Sequence, residues 1–307
     1  MTSLRVAVIG VGRMGLPIAG HLHRAGYVVR VYDRDADRTL RAASTGLRAA
    51  ESAAAAAADA DVLLTVLPGA PECESVMLGQ GRVVESLRPG SCWLDLTSND
   101  PRVAEEICRA AARRGIEAVG APMGGGVEAA EASEIEFYVG GSPAARDRVW
   151  PILFELASAD GLRVVGEDIG SAYAAKLLIN LLWFGQVAAV SEALLLAERL
   201  GVSAGNMREL IAGSAADSAF AQRHLDRLLT GDDMATFGLR ECVDELDILT
   251  ELADIHRSPF EVSSVITRLH HESLERFGPV DGELMVARLL EDRSGSVLRH
   301  PPPSNGG

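Results

Sequence analysis

Lysine is almost absent from this chain of 307 residues. Lysine and arginine together number 29, and Lys176 is the single lysine, so the other 28 basic residues (29 less one) are arginine. Arginine stays protonated in proteins, whereas a lysine amine can release its proton when its surroundings favour the neutral form. A lysine kept where arginine serves everywhere else favours a proton-transfer role for Lys176. The alternative is that an arginine-rich composition left one lysine by chance.

Positive charge is scarce overall, and cysteine is scarce too. The formal net charge of −14 argues against nucleic acid or an anionic membrane as a partner, because both bind clustered basic residues. The four cysteines form no C-x-x-C pair, which predicts reduced thiols in a cytoplasm without a disulfide framework or zinc cluster. They are Cys73, Cys92, Cys108 and Cys242.

Long hydrophobic runs and metal-binding patterns are also lacking. The longest apolar stretch, residues 177–190, is interrupted by Asn180 and Gln186 and is too short to span a bilayer. The first apolar run leads into a glycine loop instead of a cleavage site, so no signal peptide is expected. His21 and His23 are two residues apart and make a poor metal pair. With 48% hydrophobic residues, the composition predicts a globular cytoplasmic protein without a metal site.

The first half of the chain alternates strand-like and helical runs. Strands are predicted at residues 4–10, 28–33, 61–68, 91–97, 115–122 and 134–141. Helical runs separate most of them, and a helix containing Pro151 is predicted within residues 142–158. This alternation predicts an α/β fold with a doubly wound, mostly parallel sheet.

The second half is helical. No strong breaker interrupts residues 171–200, so we predict one helix of about 45 Å, followed by shorter helices, two of them at 219–231 and 239–256. The predicted domains are a dinucleotide-binding Rossmann domain at 1–165 and a long linking helix with an all-α substrate and dimerisation domain at 166–295. A disordered tail rich in Pro, Gly and Ser is predicted at 296–307.

The segment "GVGRMG" lies between the first strand and the first helix. Asp33 ends the next strand, which completes the context that a dinucleotide-binding motif requires; an ordinary tight turn is the alternative. The pyrophosphate would lie against the backbone and the helix N-terminus. A carboxylate at Asp33 favours NAD, while Arg34 beside it leaves NADP open. The predicted cofactor residues of the motif are Gly10, Gly12, Arg13, Met14 and Gly15.

The surroundings of Lys176 support a site on the long helix. Tyr173, Lys176, Asn180 and Trp183 are spaced by three, four and three residues and so share one helix face. Asn180 can hydrogen-bond the amine or orient a substrate oxygen. The alternative is a helix-packing face with a tolerated polar pair, and it requires an exposed Lys176 because a buried lysine without a partner is costly.

Four segments, taken in order, resemble the β-hydroxyacid dehydrogenase family, whose members are similar to 3-hydroxyisobutyrate dehydrogenase and are related to imine reductases. They are "VIGVGRMGLPIAGHL", "LDLTSNDP", "APMGGGVEAAEASEIEFYVGG" and "GSAYAAKLLIN", and the resemblance as a whole covers about residues 5 to 250. The resemblance implies that Lys176 is the general acid/base and that Asn180 positions it or the substrate. It also implies cofactor residues Leu67, Pro68 and Thr97, and substrate residues Met123, Gly124, Gly125, Gly126, Tyr173 and Asn180.

The activity implied is that of an NAD(P)-dependent oxidoreductase with NAD preferred. A β-hydroxy acid would pass hydride to the nicotinamide while Lys176 takes the hydroxyl proton. A small-molecule substrate and a homodimer or homotetramer are expected. Two alternatives remain, an imine reductase-like enzyme acting on C=N and a catalytically silent dinucleotide-binding protein.

Three positions depart from the family pattern. The family usually has a serine at the position of Gly124, an aspartate at the position of Gly120 and a lysine at the position of Asp244. In the family these residues help to bind the substrate carboxylate or line the nicotinamide site. We therefore expect a roomier pocket and a larger or less anionic substrate.

Overall fold

A computed structural model describes residues 4–299. The chain divides into two units between Lys176 and Leu177. The border lies within the long predicted helix, which runs from Ile169 to Arg199. Lys176 is therefore the last residue of the first unit.

The first unit is built on a sheet in which nine strands are described. Their order is β3-β2-β1-β4-β5-β6-β8-β7, with β9 also paired to β8. Pairing is parallel from β3 to β6 and between β8 and β9, and β8 is antiparallel to β6 and β7. This confirms the doubly wound, mostly parallel sheet. The strands are β1 (Arg5–Ile9), β2 (Val28–Tyr32), β3 (Arg48–Ala49), β4 (Val62–Thr65), β5 (Cys92–Asp95), β6 (Glu117–Gly120), β7 (Met123–Gly124), β8 (Ile135–Gly140) and β9 (Ala157–Gly166).

Helices cover both faces of this sheet. Val6 and Val8 of β1 belong to one hydrophobic cluster, whereas Ala7 and Ile9 belong to another, as the alternation of side chains along a strand requires. The helices of this unit are α1 (Gly15–Arg24), α2 (Ala36–Ser44), α3 (Ala53–Ala57), α4 (Ala70–Met77), α5 (Val83–Ser86), α6 (Pro101–Ala112), α7 (Gly126–Ala132) and α8 (Pro143–Phe154).

Strand β9 was not predicted, whereas the helix predicted within residues 142–158 is confirmed by α8, which contains Pro151. Helix α8 stops at Phe154, and the chain then forms a ten-residue strand parallel to β8. The alternation along this strand is weak because several of its side chains are exposed, including Val164 and Val165. Its place in the sheet is set by pairing with β8, which a local pattern does not contain.

The second unit holds the rest of α9 (Ile169–Arg199) and six further described helices. The single helix predicted at 219–231 is instead two, because His224 leaves helical geometry with φ −130°. The His224 ring lies edge-on to Trp183, with ring centroids 4.9 Å apart. The helices are α10 (Ala204–Ile211), α11 (Ala219–Arg223), α12 (Leu225–Thr230), α13 (Leu239–His256), α14 (Glu261–Phe277) and α15 (Met285–Ser294).

The predicted disordered tail is packed at its start. Leu298 is fully buried, and its N–H donates to the Glu291 carboxylate over 2.7 Å. Arg299 lies within ion-pair distance of Asp233 and Glu291. The prediction of disorder therefore fails for residues 296–299, and its remainder, 300–307, lies outside the described residues.

Among the described helices, α9 is the one long and apolar enough to cross a membrane by length and composition alone. The expectation that no segment could span a bilayer rested on the apolar stretch at residues 177–190 alone and not on the whole helix. Core helices of soluble proteins pass the same test. Here Leu177, Leu181 and Phe184 are buried and pack with Cys242 and Leu246 of α13.

Candidate active site

The glycine-rich turn joins β1 to α1 at the carboxyl end of the sheet. Gly10 has φ +93°, and a Cβ built there would lie 2.1 Å from the Val66 carbonyl oxygen. A Cβ on Gly15 would lie 1.9 Å from the Gly10 carbonyl oxygen, so α1 approaches the turn as closely as glycine allows. No side chain caps the N-terminus of α1 at Met14. A glycine turn with an uncapped helix start fits the phosphates of a dinucleotide.

Asp33 is buried at the end of β2, where its carboxylate holds the glycine turn. It accepts the Val11 N–H at 2.9 Å and the Asp35 N–H at 3.0 Å. Arg34 is exposed. Sequence reasoning missed Arg38 of α2, whose Nη1 lies 3.9 Å from Asp33 Oδ2 and 3.3 Å from a Cβ built on Gly12. A second arginine shortly after Arg34 in the chain was the available signal.

Asp95, at the end of β5, joins three segments of the site. Its carboxylate accepts the Thr65 hydroxyl at 2.7 Å, the Thr97 N–H at 3.1 Å and the Asn99 amide at 2.9 Å. The fourth donor is the hydroxyl of Tyr173 on α9, at 2.9 Å. Burial raises the pKa of Asp95, and the hydrogen bonds from Asn99, Thr65 and Thr97 oppose that change. Asp95 lies in the segment "LDLTSNDP", but it was not among the predicted site residues.

Two residues that were predicted to contact the cofactor or the substrate instead form hydrogen bonds inside the protein. Thr97 is 1% exposed, and its hydroxyl accepts the Leu67 N–H at 3.1 Å. Tyr173 is fully buried, and burial raises the pKa of its phenol well above the usual value, with the charge of Asp95 adding to the effect. These side chains do not fit the predicted direct contacts with cofactor and substrate. Leu67 is half-buried and Pro68 is exposed beside the glycine turn.

The predicted substrate loop follows β6. Met123 and Gly124 form β7 and are half-buried, whereas Gly125 and Gly126 are exposed, with φ +98° and +67°. Helix α7, which starts at Gly126, touches α1, because His21 Nε2 lies 2.8 Å from the Glu131 carbonyl oxygen. The fold thereby brings the loop's helix beside the helix that follows the glycine turn.

An acidic side chain lies beside this loop. Gly124 pairs with Glu136 of β8, and a Cβ built on Gly124 would lie 3.4 Å from Glu136 Cβ and 3.8 Å from Glu136 Oε2. These are ordinary contact distances, so a serine fits at position 124. Glu136 was missed because its proximity comes from antiparallel pairing of two strands.

Lys176 and Asn180 lie on α9 and are both partly buried. In the second unit, Asn180 Nδ2 donates to Glu245 Oε2 over 2.6 Å. Glu245 is 5% exposed, whereas its neighbour Asp244 is exposed. The acidic residue that contacts Asn180 is therefore Glu245. Its neighbour Asp244 was named from the sequence instead. Helical spacing on α13 separates these two neighbours onto different faces.

Within residues 4–299, no group of three or more His, Cys, Asp or Glu side chains is arranged to hold a metal ion. The four cysteines are free thiols. The features that remain are a dinucleotide turn, a lysine at the border of the two units and a glycine-rich loop.

Two family models match this chain. Residues 5–167 match the NAD binding domain of 6-phosphogluconate dehydrogenase, and residues 170–290 match the model described as "NAD-binding of NADP-dependent 3-hydroxyisobutyrate dehydrogenase". The chain is 28% identical to 2-(hydroxymethyl)glutarate dehydrogenase of Eubacterium barkeri, covering 87% of this chain and 88% of that protein. It is 34% identical to a probable 3-hydroxyisobutyrate dehydrogenase of Mycobacterium tuberculosis, with 68% and 69% covered.

Solved structures agree with these matches. A Mycobacterium tuberculosis 3-hydroxyisobutyrate dehydrogenase, solved with L-serine, superposes with a TM-score of 0.85 at 26% identity, covering 94% of this chain and 99% of that chain. An imine reductase from Myxococcus stipitatus, in complex with NAD+, has a TM-score of 0.63 at 22% identity, covering 94% and 100%, and so shares the fold. By its sequence, fold and glycine turn, the chain belongs to the β-hydroxyacid dehydrogenase family and is an NAD(P)-dependent oxidoreductase.

Proposed function

We propose that this enzyme interconverts an alcohol and a carbonyl of the β-hydroxy acid or semialdehyde type, with Lys176 as general acid/base. The observation that carries the proposal is the single lysine of the chain, partly buried on α9 one turn after the buried contact between Tyr173 and Asp95. The relatives named as dehydrogenases of hydroxyisobutyrate and (hydroxymethyl)glutarate support this substrate class.

In the proposed reaction a bound nicotinamide supplies the acceptor for the hydride that leaves the carbinol carbon. Lys176 Nζ takes the hydroxyl proton as the C=O bond forms, and it returns a proton to that oxygen in the reductive direction. Glu245 holds the amide nitrogen of Asn180. The carbonyl oxygen of Asn180 is then the end that accepts a hydrogen bond from the lysine amine or the substrate hydroxyl.

The proposed cofactor is NAD. Asp33 is placed at the end of β2, where a carboxylate can accept both ribose hydroxyls. The 2′-phosphate of NADP would be repelled by the negative charge of Asp33. Arg38 lies near Asp33, and the exposed Arg34 follows Asp33 in the chain. Both would attract a phosphate, so the balance between them and Asp33 sets the proposed preference.

The proposed substrate is larger or less anionic than 3-hydroxyisobutyrate. Gly124 supplies no hydroxyl for a carboxylate, and Glu136 beside it places negative charge near the loop. Backbone N–H groups of Gly124 to Gly126 can still cradle a substrate oxygen. The loop therefore favours a polar, weakly charged group over a small free carboxylate.

The proposed assembly is a homodimer or homotetramer in the cytoplasm. The free cysteines suit a reducing compartment. Leu178, Ile179 and Leu182 of α9 expose 42–66% of their surface, which favours burial against another copy.

The proposal is tested by assaying a panel of hydroxy acids, aldehydes, ketones and cyclic imines with NADH, NADPH and their oxidised forms. Turnover of an alcohol or carbonyl that is lost in Lys176→Ala supports it. Turnover of cyclic imines alone would assign an imine reductase instead. Dinucleotide binding without turnover of any panel member would indicate a catalytically silent protein.

A further inference from the structure

The first turn of α9 is packed against the sheet through glycines. A Cβ built on Gly120, the last residue of β6, would lie 2.9 Å from both the Cζ and the hydroxyl oxygen of Tyr173. A Cβ on Gly140 of β8 would lie 2.7 Å from the Asp168 carbonyl oxygen and 3.0 Å from the Ala172 nitrogen. Real Cβ atoms do not approach other atoms this closely, so any side chain at these positions would displace the helix start.

The Tyr173 ring therefore occupies the space that a side chain at position 120 would need. Gly120 is the position where the resembled family usually has an aspartate, and here the ring of Tyr173 lies over it. The ring carries its hydroxyl to Asp95 Oδ2 at 2.9 Å, and both side chains are fully buried. Asp95 is thus satisfied by a tyrosine from α9.

The same carboxylate also holds the loop that follows β5. Asp95 accepts hydrogen bonds from the Thr97 N–H and the Asn99 amide, and the Thr97 hydroxyl in turn accepts one from the Leu67 N–H. A single buried group therefore fixes α9 relative to the loops beside the glycine turn. Hydrogen bonds to a charged, buried acceptor are short, directional and costly to leave unmade.

Lys176 lies three residues after Tyr173, on the adjacent turn and the same side of the helix. We propose that Tyr173 is a positioning residue for Lys176: its ring on Gly120 and its hydroxyl on Asp95 fix where α9 carries the amine. The catalytic part of this inference rests on the proposed function, in which Lys176 moves the proton. The structural part, that the surroundings of the amine depend on Tyr173, stands apart from any substrate.

The test uses the full-length protein and a Tyr173→Phe variant, which keeps the ring and removes only the hydroxyl. The matched control is Tyr27→Phe, because Tyr27 is half-buried in the same unit but far along the chain from Tyr173 and Lys176. We expect Tyr173→Phe to lower kcat by roughly 10- to 100-fold, since small misplacements of a reacting group have effects of this size. The KM for the dinucleotide and the kcat of Tyr27→Phe should stay unchanged.

A second pair of variants tests the ring contact. Gly120→Ala should lower kcat in the natural chain, because the added methyl group meets the Tyr173 ring. In a Tyr173→Ala background the space is open, and the fold loss in kcat caused by Gly120→Ala should be less than half as large. An equal loss in both backgrounds would contradict the coupling of these two positions.

A readout without substrate separates this inference from the proposed function. Reductive methylation with isotope-labelled formaldehyde tags two amines only, Lys176 and the N-terminus, because the chain has no other lysine. We expect the Lys176 methyl NMR signal to move in Tyr173→Phe and to hold still in Tyr27→Phe, with the N-terminal signal as reference. An unmoved signal overturns the inference, and so does an unchanged kcat in Tyr173→Phe when Lys176→Ala is inactive. If Lys176→Ala stays active while the signal moves, the proposed function fails and the structural part holds.

Discussion

The predicted substrate loop has an acidic side chain beside it, where a small acid would need a hydrogen-bond donor. Gly124 offers only its backbone, Glu136 lies beside it, and Gly125 and Gly126 adopt positive φ angles that side chains rarely tolerate. Position 124 is the one of these three glycines that can accept a side chain. The specificity of the loop can therefore be changed there without disturbing the backbone.

Gly124→Ser should raise activity on 3-hydroxyisobutyrate. The added hydroxyl supplies a hydrogen bond to a charged group worth about 1.5–3 kcal/mol, which corresponds to a gain of about 10- to 150-fold in kcat/KM. The measurement compares kcat/KM on small hydroxy acids for both proteins. Gly125→Ser is the control and should impair folding, because φ is +98° and Ala129 Cβ lies 2.6 Å from the new Cβ. Micromolar KM values for a small acid on the natural chain would refute the proposed substrate class.

The cofactor preference also depends on single residues. A 2′-phosphate beside Asp33 would cost about 4 kcal/mol per charge pair at 4 Å and an effective dielectric near 20, before screening. We expect a higher kcat/KM with NAD than with NADP, and a smaller ratio in Asp33→Asn. Steady-state kinetics with both cofactors measures this ratio of kcat/KM values. A preference for NADP would assign phosphate binding to Arg34 and Arg38, and each should then be replaced by alanine.

At the scale of secondary structure elements, one carboxylate ties together strands at the amino end of the sheet. Asp61, just before β4, accepts hydrogen bonds from the backbone and guanidinium of Arg5 at 2.9–3.1 Å and from Arg88 at 2.8 Å. The hydrogen bonds from the Arg5 side chain, opposed by burial, lower the pKa of Asp61 from 3.8 to about 2. The first strands of the sheet are thus joined at the end opposite to the candidate site.

Asp61→Asn should destabilise the protein by about 1 kcal/mol near neutral pH, since the pair is partly exposed. A lowered pKa in the folded state means that the stabilisation is complete above the ordinary pKa of 3.8 and is lost as pH falls toward 2. Urea unfolding of both proteins at neutral pH and at about pH 3 measures the difference. Asp59→Asn, at a more exposed pair with Arg30, should change stability by less than about 0.5 kcal/mol. A difference that grows on acidification would contradict this assignment.

Elements with strong local patterns could be predicted, and those fixed by pairing could not. The predicted and observed bounds of α13 coincide at residues 239–256, because Gly238 precedes an amphipathic run and Arg257 ends it in a left-handed turn. The strand β9 is defined by its pairing with β8, and the His224 ring at the helix break lies against Trp183 of another helix. Sequence reasoning therefore found the helical unit but not the end of the sheet.

The same distinction holds for the candidate site. Gly10, Gly15 and Asp33 come from one local motif, and the structure gives each a steric or hydrogen-bonding reason. Asp95 and Glu245 act through partners 78 and 65 residues away in the chain, Tyr173 and Asn180. Such pairs become visible only when the fold brings them together.

At the scale of the whole molecule, the family and the apolar surface of α9 bear on assembly. We predict a homodimer or homotetramer in solution. Leu178, Ile179 and Leu182 are 48%, 42% and 66% exposed and lie close together on α9. Size-exclusion chromatography with light scattering measures the mass, and Leu182→Glu should shift it toward the 32.5 kDa of one chain. A monomer at micromolar concentration would contradict the predicted assembly.

The most direct test of the central claim is the activity of Lys176→Arg. Arginine keeps the positive charge but does not release a proton at working pH, so it separates charge from proton transfer. We predict that kcat falls by about 10²–10⁴-fold in both Lys176→Arg and Lys176→Ala, while dinucleotide affinity, measured by nicotinamide fluorescence, stays nearly unchanged. A Lys176→Arg enzyme that keeps most of its kcat would show that Lys176 contributes only charge, and the proposed proton transfer would be wrong.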